Sequence, residues 1–223
     1  MIPLALAAGP VADRPAELLV VLAALAVVPA ALVMLTSFLK IVVVLSIARS
    51  ALGAPQVPPN TAVTGLALVL TALVMAPVGE RAVVAMRAAP AARGVAGTLA
   101  QLERGSEPLR GFLLRFARAD DRAAFLDVAR RLRGPDAAPP AEQDFAVLAP
   151  AFVVSELRRA FTIGFLVFVP FLVVDLVVSN VLLALGLTQL SPTSIALPFK
   201  LLLFVAVDGW KLLARALALS YGG

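Results

Sequence analysis

The chain has 223 residues, 61% of them hydrophobic and only 15% charged, with a net charge of +5 and a mean hydropathy of +0.98. Soluble domains hold about 45–50% apolar and about 25% charged residues, and a fold of this size could not hide so much apolar surface from water, so the composition points to an integral membrane protein. The absence of Cys and His excludes disulfides, thiol nucleophiles and thiolate metal sites, and removes the commonest general base. No P-loop or dinucleotide-type glycine loop occurs, so neither nucleotide nor any other cofactor is expected. The basic excess is spread thinly between apolar runs, which suits anionic lipid headgroups better than nucleic acid.

Residues 1–16 read as an N-terminal tail. Ala5-Leu6-Ala7 resembles a cleavage site, but the apolar patch before it is short and no basic region precedes it. The first uncharged run, Leu18 to Leu39, is 22 residues long, and the next, Ser50 to Gly79, is 30. A spanning helix needs about 20 apolar residues, and these runs predict membrane helices near 17–48, kinked at Pro29, and 60–79. Gly53 to Pro59 punctuates the turn between them, with Asn60 or Thr61 able to cap the second helix. Residues 17–79 form a first hairpin in this reading.

Residues 80–144 differ in kind. They hold 11 Lys/Arg and 9 Asp/Glu of the chain's 33 charges, which marks a water-facing segment. Leu109, Phe112, Leu113 and Phe116 recur at helical spacing, as do Phe125, Val128 and Leu132, predicting two amphipathic helices and a stop at Gly134-Pro135. Positive residues concentrate here, and taken alone they would place the segment in the cytoplasm.

The uncharged runs Ala160 to Val174 and Leu176 to Phe199 predict two further helices, 158–186 and 192–219, as a second hairpin within residues 145–223. Gly186 ends the first, and Ser191 with Pro192 begins the second. The fold class is therefore all-α, a polytopic membrane protein of four long, partly kinked apolar helices in two hairpins plus a helical extramembrane segment.

Ionisable residues inside apolar helices are costly and usually face protein or water. Lys40, Glu156, Asp175, Lys200, Asp208 and Lys211 are the candidates. Arg158, Arg159 and Arg215 read as snorkelling residues at helix ends. Glu156 and Lys200 are of opposite charge but would not meet in a straight hairpin, so an ion pair between them calls for a bent helix or a neighbouring subunit; two separate snorkelling groups are the other reading. Asn180 and Ser179 suit helix–helix glue, and Gly65 and Gly164 suit close packing or kinks. Phe161, Phe165, Phe168 and Phe171 form an apolar face for core or lipid.

Several of these stretches align with one family. Met34 to Val44, Arg49-Ser50-Ala51-Leu52-Gly53, Gln56 to Asn60 and Thr64 to Leu68 come first. Ser155-Glu156-Leu157, Ile163-Gly164-Phe165, Pro170 to Val177, Leu190-Ser191-Pro192, Leu197 to Leu201 and Asp208-Gly209-Trp210 follow. Together they resemble the FliP/SctR/YscR family of type III secretion export-apparatus proteins. The resemblance implies a non-enzymatic core subunit of the export gate in the bacterial inner membrane, within the secretion-system basal body. It implies a pentameric, helical ring built with two other small export-apparatus membrane proteins, next to the larger export-gate and basal-body ring proteins, and a pore for unfolded substrate proteins. It places residues 80–144 in the periplasm, against the charge rule, and Glu156, Lys200, Lys40, Asp175 and Asp208 at contacts between subunits. Methionines commonly seal the pore in the loop between the last two helices; here Leu187, Thr188, Gln189 and Leu190 stand there, and would seal by size and hydrogen bonding. The short N-terminus resembles the injectisome branch more than the flagellar one. A small secondary transporter or ion channel, with Asp175 or Asp208 as a proton relay, is the alternative, although no repeated halves with paired broken helices occur.

Overall fold

The computed structural model describes residues 33–54, 56–88, 95–133 and 138–222, with Ala26 and Pro29. The described residues form helices throughout: α1 Phe38–Ala51, α2 Asn60–Arg87, α3 Val95–Phe116, α4 Ala119–Leu132, α5 Phe145–Ala184, α6 Pro192–Ala206 and α7 Gly209–Leu219. Two of them, α2 and α5, are long and apolar enough to cross a membrane, and α6 is a shorter apolar helix.

Of the first predicted helix, residues 17–32 other than Ala26 and Pro29 lie outside the described residues, and so do the neighbours that would define a kink at Pro29, as does the Gly134-Pro135 stop. Where it is described, the chain bends at Leu35–Ser37 before α1 begins, and the Phe38 N–H turns to the Thr36 hydroxyl at 3.3 Å. The side chain competes with the helical ladder, which is why Thr and Ser favour helix ends. Arg49 ties the following turn together by donating to Pro58 O at 3.4 Å and to Asn60 Oδ1. The helix start there is one residue earlier than a cap at Asn60 requires: Pro59 is the N-cap and Asn60 is already helical.

The largest difference concerns α5. It does not begin at residue 158 but runs unbroken for 40 residues from Phe145, through Pro150 and Pro170. At 1.5 Å per residue it is about 60 Å long, twice the roughly 30 Å hydrocarbon core of a bilayer. The charges at 156, 158 and 159 therefore lie inside a helix and do not mark its end. They divide it unequally, into a shorter first part before Glu156 and a longer second part after Arg159, with different neighbours. The first part packs against α3 and α4, where Phe112, Leu113, Ala117, Leu148, Ala151, Phe152 and Tyr221 form one buried cluster. The face predicted for residues 109–116 points into it, whereas on α4 only Phe125 joins and Val128 and Leu132 are exposed. The second part packs against α1 and α6, with Ile41, Val44, Leu45, Ala160, Phe171 and Phe204 in a second cluster.

Gly164 explains how closely α1 and α5 approach. A Cβ there would stand 2.5 Å from Ile47 Cδ1 and 3.0 Å from its Cγ2. Gly65, by contrast, faces open space within this chain. Gly164→Val should separate the two helices and cost about 1–3 kcal/mol. Ile47→Ala in the same chain should restore part of the thermal midpoint of the detergent-purified protein. Equal midpoints for the single and double variants would show that the α1–α5 approach does not depend on this fit.

The hairpin between α5 and α6 follows the sequence closely. Gly186 takes φ +72°, Leu187 N–H donates to Leu182 O at 2.9 Å and Gly186 N–H to Leu183 O at 3.0 Å. This pair of bonds closes the last helical turn and requires the left-handed residue that glycine supplies. Pro192 then occupies the first turn of α6 after Ser191. The predicted helix 192–219 is broken, however, between α6 and α7. Asp208 adopts φ +52°, and the Phe204 ring fills the space a Cβ on Gly209 would need. The Asp-Gly dipeptide permits the left-handed step, and the aromatic ring, edge-on to Trp210 at 5.1 Å, packs into the break.

Candidate functional site

Two buried ionic clusters and one exposed loop occupy the positions singled out in the sequence. The first cluster sits where the two parts of α5 meet. Glu156 is fully buried. Its Oε1 lies 2.6 Å from Arg159 Nη1, one turn along the same helix, and its Oε2 lies 3.4 Å from Lys40 Nζ on α1. The Tyr221 hydroxyl donates to Oε2 as well, and the Lys40 ammonium sits 3.6 Å from the centre of the Tyr221 ring. That ring in turn stacks on Phe112 and meets Phe116 edge-on. One carboxylate thus gathers α1, α5 and the segment after α7, and the Tyr221 ring carries the contact on to α3.

The neighbouring Ser155 extends the network to α4. Its hydroxyl donates to Asp121 Oδ2 at 2.6 Å and accepts from the Arg118 N–H at 2.9 Å. Arg158 reaches Asp121 Oδ1 at 3.4 Å, and Arg159 also donates to Phe116 O at 2.7 Å. Arg158 and Arg159 are therefore partners of buried carboxylates within α5, not snorkelling residues at a helix end.

The second cluster joins the C-terminal hairpin to α1. Lys200 on α6 is 3% exposed; its ammonium donates to Asp175 Oδ2 on α5 at 2.5 Å and to Ala51 O at 3.3 Å. Ala51 ends α1, and a cation at a helix C-terminus meets the negative end of the helix dipole. Among the described residues Asp175 Oδ1 is buried without a hydrogen-bond partner. Glu156 and Lys200 do not pair with each other within the chain; each has a partner of its own.

The remaining candidates are exposed. Asp208 pairs with Lys211 at 3.4 Å, both well exposed. Leu187, Thr188, Gln189 and Leu190 stand exposed at the tip of the α5–α6 hairpin. Asn180 is exposed too. Phe161 and Phe165 face outward, and Phe171 packs inward against Phe204. Among the described residues no cluster of acidic side chains could hold a metal ion.

Sequence reading alone missed Tyr221 and Asp121, and named Ser155 only within a family stretch, without a role. The only signal for Tyr221 is that the chain's single tyrosine follows an apolar helix, where a buried ring needs a partner for its hydroxyl. Asp121 could have been suspected as an acidic residue in the first turn of α4, but its partner lies on another helix.

Two apolar helices of membrane length, mostly uncovered within the chain, fit a helical membrane protein, in which costly charges are expected to be paired as they are here. The model of the FliP family matches residues 21–217, and the chain belongs to that family. It is 49% identical over 207 residues to the flagellar biosynthetic protein FliP of Pectobacterium carotovorum, covering 92% of this chain and 78% of that protein. It is 45% identical over 209 residues to the Yop proteins translocation protein R of Yersinia pestis, covering 93% and 96%. The hypersensitivity response secretion protein HrcR of Ralstonia nicotianae is 43% identical over 210 residues, covering 92% and 97%. The relatives are components of the type III secretion export apparatus, and this chain is a membrane-type member of the same group.

Proposed function

We propose that the chain is a structural subunit of the type III export gate, which forms with copies of itself and partner membrane proteins the pore through which unfolded proteins enter the export channel. The observation that carries this reading is the uncovered surface of α5. Only 11% of its most apolar window is buried inside the chain, and Phe161, Phe165, Leu172 and Leu176 stand on it exposed. Such a surface needs other subunits or lipid to cover it. The exposed hairpin tip at Leu187–Leu190, between the end of α5 and the start of α6, is the candidate constriction. The unpaired Asp175 oxygen, and the exposed Asp208, are the candidate polar contacts to neighbouring subunits; Lys40, Glu156 and Lys200 support those contacts from within. The role is architectural, in the inner membrane, with residues 80–144 on the periplasmic side. Relatives from flagellar and virulence systems match to similar extents. The injectisome branch is the reading we prefer, and complementation of strains lacking one or the other subunit decides between them.

Native mass measurement in mild detergent tests the proposal. A discrete pentameric ring, enlarged when the two small partner membrane proteins are co-expressed, is the expected result. A stable monomer or dimer indifferent to those partners would overturn it in favour of a small transporter using Asp175.

A further inference from the structure

Between α1, the α3–α4 turn and the middle of α5 lies a cleft of about 570 Å³ into which Lys40, Arg115, Arg118, Arg158 and Arg159 converge. Three carboxylates answer these five cations: Glu156 serves Lys40 and Arg159, Asp121 serves Arg158, and Asp120 serves Arg118. Two positive charges are left over. Among the described residues Arg115 has no carboxylate partner; it is exposed and lies 5.4 Å from the Phe116 ring centre. The cleft therefore attracts an anion, and Arg118, 43% exposed and paired only with the exposed Asp120, can turn toward one beside Arg115 without breaking the buried network.

The position of the cleft selects the kind of anion. Its wall continues through Thr162 and Ile163, and immediately beyond Arg159 begins the uncharged run Ala160 to Val174. On that run Phe161, Phe165 and Leu166 are 61%, 68% and 64% exposed. A phosphate held by the arginines would thus sit at the start of an open apolar track running along α5. We propose that this cleft binds the phosphodiester headgroup of an anionic phospholipid, with its acyl chains laid along Phe161, Phe165 and Leu166. Arginine forks match phosphate oxygens in pairs, and basic pockets between membrane helices hold anionic headgroups in this way. A soluble phosphate would use the cations but leave the track empty.

The test titrates the detergent-purified assembly of the full chain with phosphatidylglycerol or zwitterionic phosphatidylcholine and reads bound lipid by native mass. Phosphatidylglycerol should be retained in clear preference, and Arg115→Gln with Arg118→Gln should weaken it by roughly fivefold per arginine removed. Arg115→Lys, which keeps the charge, should retain most of the binding, and Arg131→Gln, outside the cleft, should retain all of it. Millimolar inorganic phosphate should not displace the lipid. Equal retention of the two lipids would overturn the proposal. Displacement by inorganic phosphate alone would assign the cleft to a free anion. Loss of subunits from the double variant with lipid retention unchanged would assign the arginines to a protein carboxylate. Should the double variant fail to fold, headgroup preference and phosphate competition on the unaltered protein still decide the matter.

Discussion

Glu156→Ala should be the most damaging single substitution at the ionic clusters, at about 3–5 kcal/mol. The carboxylate is fully buried and answers Lys40, Arg159 and Tyr221 together. Its removal strands the Lys40 ammonium, itself 2% exposed, in a site with no other carboxylate partner among the described residues. Breaking a buried pair is costly because the surviving charge cannot return to water. Arg159, 35% exposed, escapes part of this by turning to solvent. Tyr221→Phe removes only the hydroxyl and leaves the ring against Phe112 and Phe116, so about 1–2 kcal/mol is expected. The thermal midpoint in detergent reads both. A second expectation separates the pair from its parts: Glu156→Leu combined with Lys40→Met should be milder than Glu156→Ala, since neither charge is then stranded. If the double substitution is as damaging as the sum of its singles, the two residues are not energetically coupled within the chain. An exchange between Glu156 and Lys200, Glu156→Lys with Lys200→Glu, should not recover assembly, because each of these residues already has its own partner.

Asp175→Ala should cost about 3 kcal/mol, less than the change at Glu156 because Asp175 is 32% exposed and water screens part of the pair. It leaves Lys200 with only the Ala51 carbonyl, and so loosens both the α5–α6 hairpin and its anchorage to α1. Asp175→Asn keeps an acceptor at the same place and should cost about 1 kcal/mol. Native mass and export are to be measured on the same variants. Loss of assembly that tracks the loss of stability supports a structural carboxylate. Intact assembly with lost proton coupling would instead make Asp175 a relay and would overturn the export-gate reading of this residue.

These two sites show where sequence reasoning succeeds and where it stops. Composition alone places the chain among membrane proteins, because surface-to-volume scaling leaves a soluble fold no means of covering that much apolar area. Local signals are equally legible. Gly186 ends α5 because only a residue free to adopt positive φ closes that turn, Ser191-Pro192 opens α6, and Leu109, Phe112, Leu113 and Phe116 mark a buried face because their spacing is that of a helix. Asp208-Gly209 was a turn signal of the same kind, and reading through it produced one helix where the structure has two.

The ionic residues are a different matter. Glu156, Arg158 and Arg159 look from the sequence like the end of a membrane helix, because charges in an apolar run normally mark its exit into water. They lie within α5 because Lys40 and Asp121 reach them from other helices, and no local pattern announces a partner so far along the chain. Lys200 makes the point most sharply: its carbonyl acceptor, Ala51, is 149 residues away. The sequence by itself determined the apolar character of the chain, its turns and the identity of its costly charges, since each depends on a residue and its near neighbours. Only the tertiary structure decided which charges meet, which face of α5 stays uncovered and which arginines share a cleft, since those depend on helices brought together by burial elsewhere.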